Sequence, residues 1–133
     1  MANPSKQKGT AWESALVAYL REYHDPATHR NVQMGRLDIG DLSGYYLHAL
    51  EAKAEKTITL ASYIAQANRE AINAGQPFGC AVVKRRMKGT ADGYVVRDVR
   101  TDVRLMNRFR DAERLLQHHA PAEVWEAHDE KHR

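Results

Sequence analysis

Three charged side chains sit in the stretch GDLSGYYLHALEAKAEK, residues 40–56: Asp41, then Glu51 and Lys53 two apart. The stretch reads as a β-hairpin turning near Gly44, with Asp41 in the first arm and the other two in the second. Strand alternation puts Glu51 and Lys53 on one side of their strand. Two carboxylates on rigid strands make a hard-oxygen site suited to Mg²⁺ or Mn²⁺. A lysine beside them can position or help deprotonate an attacking water, or stabilise charge developing on a phosphate. A metal held there polarises a phosphoryl oxygen and acidifies its bound water, so the group suits phosphodiester hydrolysis. The competing reading is a same-face ion pair between Glu51 and Lys53 on a solvated strand. Against it, the apolar surroundings YLHALEAK place these charges where a strand enters the core.

The elements that position these residues follow from hydrophobic spacing and turn residues. Residues 1–9 are polar and basic and read as a flexible arm, whose Lys6 and Lys8 are free to meet a polyanion. A helix is expected from Thr10 to Tyr23, with Trp12, Leu16, Tyr19, Leu20 and Tyr23 on one stripe. Its TAWE start is a capping box, with Thr10 at the N-cap and Glu13 reaching back to it. HDPATHRN breaks the helix, and a short strand is expected around Val32–Met34, ahead of the hairpin. TLASYIAQANREAINAG predicts a second helix, capped by Thr59 and stopped by Gly75 and Pro77, with Leu60, Ile64, Ala67 and Ala71 on one face. PFGCAVVKRR and GYVVRDV read as strands joined through KGTADG. A last helix is expected from Thr101 to His118 with Leu105, Phe109, Ala112 and Leu116 turned inward. The order α-β-β-β-α-β-β-α predicts a compact α/β sandwich, a central mixed β-sheet flanked by helices. The expected domain plan is an arm over 1–9, a single domain over 10–121 and a polar C-terminal tail over 122–133.

Composition bounds the rest. A chain of 133 residues has room for one modest core, and 43% hydrophobic with 28% charged content is ordinary for a globular protein. No apolar run approaches the ~18 residues of a membrane span, and the start lacks the apolar core of a secretory signal. The single cysteine, Cys80, excludes an internal disulfide and fits a reducing, cytoplasmic setting; within FGCAVV it reads as packing. The net charge is +3, with −2 on the last twelve residues and therefore +5 on residues 1–121. That basic body suggests a polyanionic partner. Lys84, Arg85, Arg86 and Lys88 end a strand and enter a turn, placed to grip such a partner, and Lys56 is a further phosphate contact or plain surface. Arg100, Arg104 and Arg108 recur every four residues; the stripe either tracks a phosphate backbone or is a solvated face balanced by Asp102 and Asp111. One cysteine and no HExxH argue against a zinc site, and the absence of P-loop, GxGxxG and GxSxG patterns argues against nucleotide-driven motors and serine hydrolases.

A helix with an early glutamate, a hairpin carrying Asp…Glu-x-Lys, then a helix and a strand resemble the PD-(D/E)XK nuclease superfamily. Within it the chain is most similar to Holliday-junction resolvase-type endonucleases, particularly small phage versions. The resemblance runs from about Lys8 to Arg86. KGTAWESALVAYL resembles the family's first helix, GDLSG stands at its proline-aspartate motif with Gly40 replacing the proline, and LEAK matches its glutamate-x-lysine motif. It implies a restriction-endonuclease-like α-β-β-β-α-β core with an added C-terminal helix, and a Mg²⁺- or Mn²⁺-dependent endodeoxyribonuclease. The expected substrate is four-way or other branched DNA, cut by a homodimer that would work in the cytoplasm of a bacterial host if phage-encoded. Glu51 would be a metal ligand and Lys53 the catalytic lysine; Asp41 is favoured as the second ligand over Asp38, which gives a longer spacing to Glu51. Asp38 and Asp41 are three apart, so in a regular strand they face opposite ways. Glu13 would add to the metal site, and Gln66 corresponds to a glutamine that several branches carry near theirs. Lys56, Lys84, Arg85, Arg86, Lys88, Arg100, Arg104 and Arg108 would contact DNA. The alternatives are a non-catalytic DNA-binding module with the same fold, or a nuclease for nicked or duplex DNA.

Overall fold

The first helix, α1, spans Pro4–Tyr23 in the computed structural model, which describes residues 3–32 and 37–133. Asn3 is its N-cap, its side chain accepting the Ser5 N–H at 3.0 Å, and Pro4 sits in the first turn. An Asn cap followed by Pro is a helix start in its own right. The helix therefore begins six residues before the expected Thr10. Residues 4–9, expected as an arm, are helical, and Thr10 and Glu13 lie inside α1 rather than forming a capping box.

After α1 come β1 (His29–Arg30), β2 (Leu42–Ser43), β3 (His48–Lys53), α2 (Leu60–Ala74), β4 (Phe78–Val83), a 3₁₀ turn (Thr90–Asp92), β5 (Tyr94–Val96), α3 (Val99–Gln117) and α4 (Ala122–Lys131). The expected α/β class with a mixed sheet is what forms. The five strands lie in the order β1-β2-β3-β4-β5, with β3 and β4 parallel and every other pair antiparallel. The helix α2 is the crossover that the parallel pair requires. The strand expected at Val32–Met34 falls partly on residues 33–36, outside the described residues, and Val32 itself is exposed coil.

The two faces of the sheet are covered differently. Trp12, Leu16 and Val17 of α1 pack on Leu42, Leu50, Ala52, Cys80 and Val82. The Trp12 indole N–H donates to the Val82 carbonyl at 3.0 Å, so its one polar group is satisfied in the core. Burial pushes the Cys80 thiol up to about 12, which fits the packing role read from its apolar run. On the opposite face Tyr63 of α2 packs with Ala81 and Val83.

The chain divides into two compact units, one reaching to Asp98 and the other Val99–Arg133. The second holds α3 and α4, so the segment expected as a polar tail is largely helical. On α3, Phe109, Ala112 and Leu116 are exposed rather than turned inward, and Leu105 is half-buried. No helix among the described residues is long and apolar enough to cross a membrane.

Candidate active site

Strand β3 carries the centre of the site because its pleat splits its side chains between two environments. Leu50 and Ala52 join the core under α1, while Glu51 and Lys53 face α2. Glu51 is 4% exposed, so this is a core-entry position and not a solvated strand face. Its partner β2 meets β3 in the register Leu42↔Leu50. Just before β2, the Asp41 N–H donates to the Leu50 carbonyl at 2.9 Å, and the Ala52 N–H donates to Asp41 Oδ2 at 2.8 Å. These two bonds hold the Asp41 carboxylate against Glu51.

The approach to β2 is set by backbone conformation. Asp38 Oδ1 accepts the Gly40 N–H at 2.9 Å, and Gly40 then takes φ +96°. A proline, fixed near φ −65°, has no access to that conformation, which accounts for glycine at the position where the resembled motif has proline. A Cβ at Gly40 would also lie 3.0 Å from the Leu50 carbonyl oxygen. The turn separates the two aspartates: Asp41 meets Glu51, whereas Asp38 interacts with Glu70 of α2. Of the two candidates, Asp41 is the one that faces Glu51.

Helix α2 closes the site from above. A Cβ at Gly79 of β4 would sit 2.4 Å from the Ala67 carbonyl oxygen, so only glycine lets α2 come this close to the sheet. Gln66, one residue earlier, then spans the two β3 charges. Its Nε2 donates to Glu51 Oε1 at 3.0 Å, and its Oε1 accepts from Lys53 Nζ at 3.0 Å. Lys53 Nζ is also 3.3 Å from Glu51 Oε1 and 5.2 Å from the centre of the Tyr63 ring. Lysine, glutamate and glutamine thus form a closed triangle that fixes the ammonium at the edge of the acidic pair.

The electrostatics follow from burial and crowding. Burial and then the neighbouring Glu51 charge push the Asp41 carboxyl up to about 7. Burial and then Glu70 push Glu51 up to about 8, with Lys53 acting in the other direction. The Glu51 Oε2 atom is buried and receives no hydrogen bond. Glu70 was not singled out from sequence, yet it is 1% exposed and neither of its carboxylate oxygens receives a hydrogen bond. Its signal was its spacing: it lies four residues after Gln66, on the same face of α2 as the buried Tyr63, Ala67 and Ala71.

Two apposed hard-oxygen carboxylates with an unsatisfied buried oxygen are a donor set that fits Mg²⁺ or Mn²⁺. Among the described residues no three Asp, Glu, His or Cys side chains converge into a metal-holding group. The protein would therefore supply Asp41 and Glu51, with water completing the shell, as Mg²⁺ commonly allows. Glu13, expected as a further ligand, is committed elsewhere. Its Oε2 lies 2.7 Å from Arg30 Nη2 and accepts from Arg30 Nε at 2.9 Å, although its charge is still felt at Asp41.

The remaining candidates are surface residues. Lys56, Lys84, Arg86 and Lys88 are exposed, and Arg85 is half-buried over the Tyr94 ring at 5.0 Å. The Lys84 N–H donates to the Lys53 carbonyl at 2.9 Å, so the basic segment leaves β4 beside the end of β3 that carries the catalytic candidate. Arg100, Arg104 and Arg108 are exposed on α3, in the second unit. No family model, curated protein or solved structure matches the chain.

Proposed function

We propose that the protein is a Mg²⁺- or Mn²⁺-dependent endodeoxyribonuclease with a restriction-endonuclease-like core, of the PD-(D/E)XK type. The observation that carries this reading is the convergence of Asp41, Glu51, Lys53 and Gln66 on one face of the sheet. A bound divalent cation would supply Lewis acidity and an acidified water. Asp41, just before β2, and Glu51, within β3, would hold it, and Gln66 and the Ala52 N–H keep those carboxylates in place. Lys53, tethered by Gln66, presents its ammonium to an incoming phosphate, where it orients the attacking water or stabilises the charge gathering on the phosphoryl oxygens. The water oxygen forms a bond to phosphorus as a bond from phosphorus to a sugar oxygen breaks.

The favoured substrate is branched DNA, in particular a four-way junction, resolved by a homodimer. A junction presents two symmetry-related strands, and a twofold dimer presents two such sites. The exposed basic residues from Lys84 to Lys88, leaving β4 beside Lys53, support a polyanionic substrate that approaches at this edge. The test is cleavage of a labelled four-way junction and a linear duplex of the same sequence, each with Mg²⁺ and with EDTA. Paired symmetric nicks in the junction alone are the expected result. Equal cutting of both substrates would point to a general nuclease, and intact DNA in Mg²⁺ and Mn²⁺ alike would leave only a DNA-binding module.

A further inference from the structure

A lysine ammonium is a compact charge on a flexible four-carbon stem, so its neighbours decide where it stands. For Lys53 those neighbours go beyond Gln66 and Glu51, which meet Nζ at 3.0 and 3.3 Å. The Tyr63 ring is centred 5.2 Å from Nζ, within cation–π range, and Glu55 Oε1 lies 4.0 Å away.

Tyr63 is itself fixed. It is 3% exposed and packs on Ala81 and Val83, and it lies three residues before Gln66, so both side chains leave α2 on the face that meets Lys53. Its hydroxyl donates to Glu55 Oε2 at 2.7 Å, the length of a charge-assisted bond. The same hydroxyl lies 3.1 Å from the Thr57 carbonyl oxygen, a backbone acceptor that alone would satisfy the buried phenol. The Glu55 carboxylate is therefore not needed to satisfy the tyrosine. It takes the hydroxyl on one oxygen and turns the other toward the lysine. The Glu55 side chain is 53% exposed, and an exposed ion pair at that distance is weak without a further tether. The Tyr63 hydroxyl is that tether.

Glu51, Lys53 and Glu55 follow two apart, with Glu55 just beyond the end of β3. Lys53 thus stands between a buried carboxylate and a half-exposed one. Drawn by Glu51 alone, its ammonium would collapse onto that carboxylate. Glu55 offsets the pull and holds the charge toward the end of β3, where the basic segment leaves β4 at Lys84. We propose that Tyr63 and Glu55 are one positioning unit for Lys53, the hydroxyl fixing the carboxylate, and ring and carboxylate together holding the ammonium out to meet a phosphate. The inference rests on the nuclease reading and adds to it the pair that sets where the lysine's charge stands.

The test measures single-turnover nicking of a labelled four-way junction in Mg²⁺ by full-length wild type, Tyr63→Phe, Glu55→Gln and the double variant, with junction affinity measured in EDTA. Each single variant should nick about 10-fold more slowly, the scale for a group that orients another, without weaker binding. The double variant should be no slower than the slower single one, because each change disables the same unit. The nitrogen resonance of the Lys53 ammonium, assigned by its loss in Lys53→Ala, should shift in both single variants; a role confined to folding would not move it in Glu55→Gln. Wild-type rates in both single variants, losses that multiply in the double variant, or an unmoved Lys53 resonance would each overturn the inference and leave the nuclease reading standing. DNA left intact by wild type in Mg²⁺ and Mn²⁺ would overturn both. Circular dichroism checks each fold. Should Tyr63→Phe not fold, Glu55→Gln decides alone: slower nicking with a shifted Lys53 resonance supports the unit, and anything else overturns it.

Discussion

Asp41 and Glu51 lie side by side on the α2 face of the sheet, brought together because Asp41 accepts the N–H of Ala52, the residue between Glu51 and Lys53, at 2.8 Å. One backbone bond thus couples the two hairpin arms at the point where their carboxylates meet. The reaction proposed for the site depends on that pairing and on the lysine two residues further along.

Lys53→Ala removes the ammonium that would face the phosphate, while the carboxylate pair stays in place. Cleavage should fall by roughly 10²–10⁴-fold, the usual scale for one acid–base or charge-stabilising group. Single-turnover assays of DNA nicking measure it. Gln66→Ala leaves Lys53 and Glu51 chemically intact but unfastened, and a loss of about 10–100-fold is expected. Unchanged DNA affinity in both variants would place the loss in the chemical step.

The raised carboxyls make the metal-free protein sensitive to alkali. Unfolded, Asp41 and Glu51 titrate near 3.8 and 4.5; folded, they titrate at about 7 and about 8. Between those limits the folded state holds protons that the unfolded state has released, so stability falls as pH rises and the loss is complete above the folded values. From about pH 5 to about pH 8 the wild-type melting temperature should fall on the order of 5 °C further than that of Asp41→Asn. Mg²⁺ at the alkaline end should recover most of the difference.

Much of this was legible in the sequence, and the places where it was not have physical causes. Glu51 and Lys53 were readable because period-two alternation leaves no freedom about their shared side. Asp38 and Asp41 were harder to rank, since spacing alone does not reveal that Gly40 adopts φ +96° and turns the chain between them. Glu13 read equally well as a cap or a ligand; it is not the cap, because Asn3 starts the helix, and its carboxylate pairs with Arg30. Glu70 escaped because a glutamate in a helix is usually solvated; its burial depends on how closely α2 packs at Gly79. The expected inward face of the last helix failed for a related reason. Amphipathic spacing says that a face exists without naming what covers it, and Phe109 and Leu116 are exposed.

Two glycines should prove intolerant of a side chain. Gly79→Ala places a methyl 2.4 Å from the Ala67 carbonyl oxygen and must lift α2 from β4. A loss of about 1–3 kcal/mol in urea unfolding is expected, together with loss of the Gln66 clamp and hence of activity. Gly40→Ala should lose about 1–2 kcal/mol from its positive φ.

The basic segment should act on affinity rather than chemistry. Lys84→Ala, Arg86→Ala and Lys88→Ala should each weaken DNA binding and lower the slope of log K against log salt by ~0.9 per lost phosphate contact. Fluorescence anisotropy over a salt series, under non-cleaving conditions in EDTA, separates this from any effect on cutting.

The central claim is that Glu51 holds the cation on which hydrolysis depends. Its most direct measurement is nicking of labelled four-way junction DNA in Mg²⁺ by wild type and by Glu51→Gln, a near-isosteric change, with junction binding recorded for both. The account predicts symmetric nicks from wild type, none from Glu51→Gln, and binding retained by both. Equal cutting by the two proteins would contradict it.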